Sequence, residues 1–246
     1  MKKTAAIIQA RMGSTRLPGK VLKKIKDKTV LSHVIKRVEQ SKKIDEIIIA
    51  TTKHRRDDPI IKEAKKYGIN YYRGSEEDVL SRYYESAEQY DIDTIVRITS
   101  DCPLIDPFII DEIIEFYQKN DYDLVTNAGP KQENRTYPRG MDTEVFSFEI
   151  LKEIYQNADQ KYQREHVTPY IYENSDRISY YKNNNDYSKY RLTLDEKEDL
   201  KLIKKVYNNL YKGEHDFYLA DIIQLLEENK HLQKINQDIK QKEYKS

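Results

Sequence analysis

The segment Gln9-Ala10-Arg11-Met12-Gly13-Ser14-Thr15-Arg16-Leu17-Pro18-Gly19-Lys20 places three cations and two glycines within residues 11–20. Arg11 and Arg16 carry donor forks that match phosphate oxygens, and Lys20 supplies a compact point charge. Gly13 and Gly19 let the backbone approach a ligand and adopt angles closed to other residues. Ser14 and Thr15 add hydroxyl and amide donors. The loop follows an apolar run, Ala5–Ala10, which reads as a buried strand. Phosphate binding at the carboxyl edge of a sheet is the chemistry this arrangement suits. A Walker A loop needs four residues between its glycines and Ser or Thr after its lysine. Here five residues separate Gly13 from Gly19, and Val21 follows Lys20. The dinucleotide pattern G-x-G-x-x-G is absent as well.

A second chemical segment is Arg97-Ile98-Thr99-Ser100-Asp101-Cys102-Pro103-Leu104-Ile105-Asp106-Pro107. Asp101 falls just past a predicted strand, where a carboxylate can hold Mg²⁺ against triphosphate oxygens. Asp106 precedes Pro107 and reads as a helix cap. Nothing near Cys102 lowers a thiol pKa, so it reads as a small buried filler. In Arg191-Leu192-Thr193-Leu194-Asp195-Glu196-Lys197-Glu198, Asp195 has the spacing of a helix cap, with Glu198 completing a capping box. Ser75 and Asp78 have similar spacing, but capping leaves the adjoining Arg73-Gly74 unexplained.

These residues need a scaffold, and the first half supplies one. Apolar runs at 5–10, 46–51, 69–72, 94–98 and 123–126 read as strands. Amphipathic runs at 30–40, 58–67, 77–89 and 107–119 read as helices. The alternation predicts an α/β fold with a mainly parallel, doubly wound sheet and helices on both faces. The second half predicts strands at 143–148, 177–182 and 190–193, and helices at 148–157, 163–173, 196–210 and 217–228. We expect one domain over 1–228, with a nucleotide half at 1–126 and an acceptor and dimerisation half at 127–228. Residues 229–246 read as a charged tail, frayed or disordered.

The 246 residues carry a formal charge of only +1, which gives no support for a nucleic-acid or acidic-membrane partner. One cysteine excludes an internal disulfide and suggests a reducing compartment. Met-Lys-Lys resembles a signal n-region, but the apolar run after it is short and ends at Arg11. No apolar stretch approaches the ~20 residues of a membrane helix. The reading is a cytoplasmic protein.

The Gln9–Lys20 segment closely resembles the nucleotide-binding loop of the CMP-sugar synthetases, the cytidylyltransferases for Kdo and sialic-acid-like sugars. The spore-coat polysaccharide protein F branch looks nearest, and the resemblance spans about residues 4–210. It implies a Rossmann-like nucleotide-diphospho-sugar transferase fold, CTP as donor, Mg²⁺ and a homodimer. It implies nucleotide contacts from Ala10, Arg11, Met12, Gly13, Ser14, Arg16 and Lys20, with Arg11, Lys20 and Asp101 in catalysis. Arg73 and Gly74 would lie near the base, and Asp195 would join Asp101 as metal ligand. The family commonly has glycine before that first aspartate, where this chain has Ser100. The segment Tyr137–Val145 looks like the acceptor side, with Arg139 pairing an anionic sugar and Glu144 binding hydroxyls. His166, in Arg164-Glu165-His166-Val167-Thr168, reads as a packed histidine or a group touching substrate. Two other readings stand beside this one: a nucleotide-sugar-dependent glycosyltransferase, and a non-catalytic nucleotide-binding partner in polysaccharide assembly. A triphosphate donor needs the cationic loop more than a sugar diphosphate does.

Overall fold

The computed structural model describes residues 2–241. Strand β1 (Thr4–Gln9) is buried on both sides. Ala5 and Ile7 enter one core, and Ala6 and Ile8 enter the other. Such a strand belongs at the centre of a parallel sheet covered by helices on both faces. β1 pairs in parallel with β4 (Glu46–Thr52) and β6 (Thr94–Thr99). β4 pairs in parallel with β5 (Asn70–Gly74). Beyond β6 the sheet becomes mixed. β8 (Glu144–Ser147) runs antiparallel to β6 and to β7 (Leu124–Thr126), and β9 (Ile178–Tyr180) lies parallel to β7.

Among the described residues the seven-stranded order is β5-β4-β1-β6-β8-β7-β9. The chain winds outward from β1 through β4 and β5, then returns to β6 on the other side of β1. The carboxyl ends of β1 and β6 therefore flank a topological switch point, where open α/β sheets bind ligands. The loop at 10–20 leaves β1 there, and Asp101 follows β6. A short hairpin, β2 (Lys24–Ile25) with β3 (Lys28–Thr29), leads from that loop into the helix that starts at Val30.

Helices α1 (Val30–Val38), α2 (Asp58–Lys66), α4 (Pro107–Lys119), α8 (Lys197–Leu210) and α9 (Leu219–Glu228) cover one face. Helices α3 (Val79–Gln89) and α5 (Phe148–Asn157) cover the other, beside α6 (Lys161–His166) and α7 (Pro169–Asn174). Each fully buried Ile or Leu in these layers contributes roughly 1.5–3 kcal/mol. Asp106 caps α4 as expected, accepting from the Phe108 amide at 2.9 Å.

Three expectations change. The helix expected over 163–173 is two helices. Val167 takes φ 72°, and Pro169 starts the second helix because it has no N–H to continue the first. The strand expected over 190–193 is a single bridge, Arg139 to Arg191. The charged segment after Asn229 forms α10 (Lys230–Gln233) and packs through Leu232 and Asn236. Asn236 Nδ2 donates to the Arg191 carbonyl at 3.0 Å and to Asp199 Oδ1 at 2.9 Å. Two buried anchors outweigh the polar composition there. Residues 242–246 of the expected tail lie outside the described residues.

Candidate active site

The loop after β1 is held from within and from below. The Met12 carbonyl accepts from the Ser14 amide at 2.9 Å and from the Gly19 amide at 3.1 Å. Gly19 has φ 65°, a left-handed conformation that favours glycine. Leu17 anchors the loop in the core. Asp57 is fully buried, and its Oδ1 accepts from the Met12 amide at 2.7 Å. Its Oδ2 accepts from the Thr52 hydroxyl. Asp57 thus fixes where the loop leaves the sheet, a role that sequence reasoning missed. The available signal was Asp57-Asp58 before Pro59, one acid more than a cap requires.

The cations and carboxylates converge beneath this loop. Lys20 Nζ lies 2.5 Å from Asp101 Oδ2 and 2.9 Å from Asp195 Oδ1. Arg16 Nη2 is 3.0 Å from the same Asp195 oxygen, and Arg191 Nη2 is 2.8 Å from Asp195 Oδ2. The Leu194 amide donates to the Asp101 carbonyl at 2.8 Å, which ties the two carboxylate-bearing loops together. Burial opposes the charge on Lys20, but Asp101 and Asp195 outweigh it and its pKa stands raised. Burial likewise opposes the Asp195 charge, yet Lys20, Arg16 and Arg191 leave its pKa lowered. The Arg11 guanidinium makes no hydrogen bond or ion pair with any described residue.

Asp195 does not cap the following helix. The cap is Glu196, and Asp199 Oδ2 accepts from the Asp195 and Glu196 amides at 2.9 and 3.0 Å. The Asp195 carboxylate is therefore left for the cleft. The other cap also shifts: Asp78 Oδ1, rather than Ser75, caps α3 through the Ser81 amide at 2.9 Å.

Arg73 is committed locally. Its Nε donates to the Thr52 carbonyl at 2.9 Å, and its Nη2 to the His54 carbonyl at 3.0 Å. Nη2 also pairs with Asp58 at 2.9 Å. It braces the β4–α2 connection. Gly74 is packed closely: a Cβ there would lie 2.7 Å from Arg82 Cγ.

Of the residues expected on the acceptor side, Glu144 is buried within strand β8. It accepts from Arg97, from Thr168 Oγ1 at 2.9 Å and from the Tyr172 hydroxyl at 2.7 Å. These bonds make it a positioning group for its neighbours. His166 has its pKa lowered, first by burial and then by Arg97 and Arg11, with Glu165 opposing them. Arg139 donates through Nη2 to Gln132 Oε1 at 3.2 Å, and its carbonyl accepts from the Leu192 amide at 2.7 Å. Gly140 has φ 99°, and a Cβ there would come within 2.5 Å of the Leu192 backbone. Cys102 is buried, and burial pushes its thiol pKa up.

The sequence pattern of the family described as Cytidylyltransferase matches residues 5–240. This chain belongs to the cytidylyltransferase family. It is 40% identical over 247 residues to the uncharacterised protein MJ1063 of Methanocaldococcus jannaschii, covering 99% of this chain and 98% of that one. It is 37% identical over 236 residues to the spore coat polysaccharide biosynthesis protein SpsF of Bacillus subtilis, covering 91% and 93%. A solved cytidylyltransferase from Leptospira borgpetersenii superposes with a TM-score of 0.91 at 37% identity, covering 98% of this chain and 100% of that one.

As a cytidylyltransferase the chain is a nucleotidyltransferase, with an α/β fold shared by that structure. At the switch point a cationic loop meets two carboxylates that share Lys20. Hard oxygen donors of this kind suit a divalent ion such as Mg²⁺, which commonly takes one or two carboxylates and phosphate oxygens. Among the described residues no group of three or more His, Cys, Asp or Glu side chains forms a metal cage. Among the described residues no helix is long and apolar enough to cross a membrane.

Proposed function

We propose that this cytidylyltransferase transfers CMP from CTP to a sugar or sugar acid, releases pyrophosphate, and serves surface polysaccharide or glycan synthesis. The observation that carries the reading is Lys20 held between Asp101 and Asp195 beneath the 10–20 loop. An acceptor hydroxyl attacks the α-phosphorus of CTP, and the bond to the bridging oxygen of pyrophosphate breaks. Arg11, Arg16 and Lys20 bind the phosphates and stabilise the charge that develops on the leaving group. The loop of residues 10–14 lies against the same phosphates, with Asp57 fixing its position through Met12. Asp101 and Asp195 would hold Mg²⁺, which would polarise the α-phosphate when bound. Gly74 lets the Arg82 stem pack closely against the end of β5, and Arg73 braces the β4–α2 connection beside it.

Arg139 is the acceptor-side cation, and it favours an anionic sugar. His166 is uncharged at neutral pH because its pKa is depressed, so it can take the hydroxyl proton. Glu144 orients Arg97, Thr168 and Tyr172 around that side. The same reading has a cytoplasmic homodimer, with sedimentation as the check on its mass. Mass spectrometry of mixtures containing Mg²⁺, CTP and each of a panel of sugar acids tests the reaction. A CMP–sugar adduct with one of them is expected. Absence of any adduct, with CTP bound tightly, would support a non-catalytic nucleotide-binding protein.

A further inference from the structure

Arg82, on the first turn of α3, is 2% exposed. Its Nε and Nη1 are buried with no hydrogen-bond partner, and it makes no ion pair with any described residue. A buried guanidinium in that state is costly, and proteins ordinarily supply partners. Arg37 shows the ordinary solution at two of its three nitrogens, with only Nη2 lacking a partner among the described residues. It is fully buried, donates to the Phe217 carbonyl at 2.9 Å, and stacks 4.2 Å over the Phe217 ring. Arg191 is likewise paired, with Asp195 and Asp199.

The position of Arg82 suggests why it differs. Its stem lies against Gly74 at the carboxyl end of β5, where a Cβ would come within 2.7 Å of its Cγ. Its charge is favoured by Tyr83, Asp57 and Asp78 and opposed by Arg11, of which Arg11 and Asp57 belong to the loop and its support. Neither acid pairs with it. Asp57 is engaged by the Met12 amide and Thr52, and Asp78 by the Ser81 amide and Arg164. Burial, with Arg11 adding to it, pulls the Arg82 pKa down to about 10, which keeps the group charged at neutral pH.

We propose that Arg82 is the cationic floor of the nucleotide subsite, left without a hydrogen-bond or ion-pair partner among the described residues so that the bound nucleotide's phosphates supply its counter-charge. This rests on the reading of residues 10–20 as the nucleotide loop. The free protein then carries an uncompensated buried charge that a polyanion relieves. An arginine retained for packing would behave in the opposite way.

The test measures melting temperature and calorimetric affinity for Mg·CTP, Mg·UTP and pyrophosphate, without acceptor, in wild type, Arg82→Met and Arg82→Lys. Arg82→Met is expected to melt no lower than wild type in the absence of ligand. Its affinities for CTP and pyrophosphate should fall roughly tenfold to a hundredfold, the range for a hydrogen bond to a charged group. Its ligand-induced rise in melting temperature should shrink accordingly. Arg82→Lys should recover most of the affinity by restoring charge. An Arg82→Met protein that melts lower and binds CTP as wild type does would overturn the inference and leave the loop assignment standing. Loss of preference for CTP over UTP with unchanged pyrophosphate affinity would place the guanidinium on the base and overturn the phosphate assignment. A wild-type protein that binds neither CTP nor pyrophosphate would overturn the loop assignment and this inference together.

Discussion

Lys20 and Asp195 meet across the cleft at 2.9 Å, and the same ammonium reaches Asp101. One residue comes from the loop after β1, the other from the segment before α8, and Asp101 follows β6. Their convergence makes one site of three sequence segments. Asp101→Asn and Asp195→Asn should each lower kcat by about a hundredfold or more, the scale expected when a transition-state electrostatic contact is lost. Both variants should melt lower, Asp195→Asn the more, because each keeps its size and a hydrogen-bonding oxygen but takes counter-charge from the buried Lys20, and Asp195→Asn from Arg16 and Arg191 as well. Circular dichroism with single-turnover kinetics checks both halves. Full activity in either variant would remove that carboxylate from the mechanism.

Asp57 supports the loop without reaching the phosphates itself, so its loss should show first in nucleotide binding. Asp57→Ala leaves the buried Thr52 hydroxyl and the Met12 amide without their acceptor. The expected cost is about 1–3 kcal/mol of stability, as for other unsatisfied buried groups. Affinity for CTP should fall with it, measured by calorimetry. An unchanged affinity would mean that the loop holds its shape without this anchor.

Arg139 tests the acceptor assignment separately. Arg139→Ala should raise the acceptor KM by roughly tenfold, consistent with losing a charge-assisted contact. CTP binding should stay the same, because Arg139 belongs to the 127–143 connection and not to the nucleotide loop. Unchanged acceptor kinetics would sink the assignment.

The pair His33 and His215 predicts a pH dependence of stability. His33 Nε2 lies 2.9 Å from the Ile25 carbonyl, so it donates there. His33 Nδ1 must then accept from His215 Nε2 at 2.8 Å, which requires a neutral His33 ring. Burial, with nearby Arg37 and Lys28, lowers their pKa values from 6.5 to about 4 for His33 and about 3 for His215. In the unfolded chain both titrate near 6.5, so unfolding takes up protons below that pH. Stability from this pair is full above about pH 7 and falls as the pH drops from 6.5 towards 4. Melting curves across that range should show the loss, and His215→Gln should show a shallower slope. Equal slopes would mean that other groups set the acid sensitivity.

Much of this was legible in the chain because the first half is locally consistent. Each strand of the parallel half is a short apolar run ended by polar or glycine residues, so β1, β4 and β6 appear within a residue or so of their expected limits. The loop and Asp101 were readable because each follows such a strand. Asp195 was ambiguous: its spacing fits a cap, and only the buried Asp199, which takes that duty, separates the alternatives. Arg73 showed the reverse. Its type and place suggested a ligand contact, while three local acceptors engage it. Asp57 and Arg82 were invisible because their importance lies in partners made, or lacking, across elements. Sequence spacing carries no record of such partners.

The central claim is that residues 10–20 with Asp101 and Asp195 form a CTP-dependent transfer site. Pyrophosphate release is its most direct test, followed with each nucleoside triphosphate, Mg²⁺ and a sugar-acid panel, in wild type and in Lys20→Met. Release with CTP and an acceptor, lost on chelation of the divalent ion and strongly reduced in Lys20→Met, is the predicted result. Equal release from the other triphosphates, or full release from Lys20→Met, would contradict it.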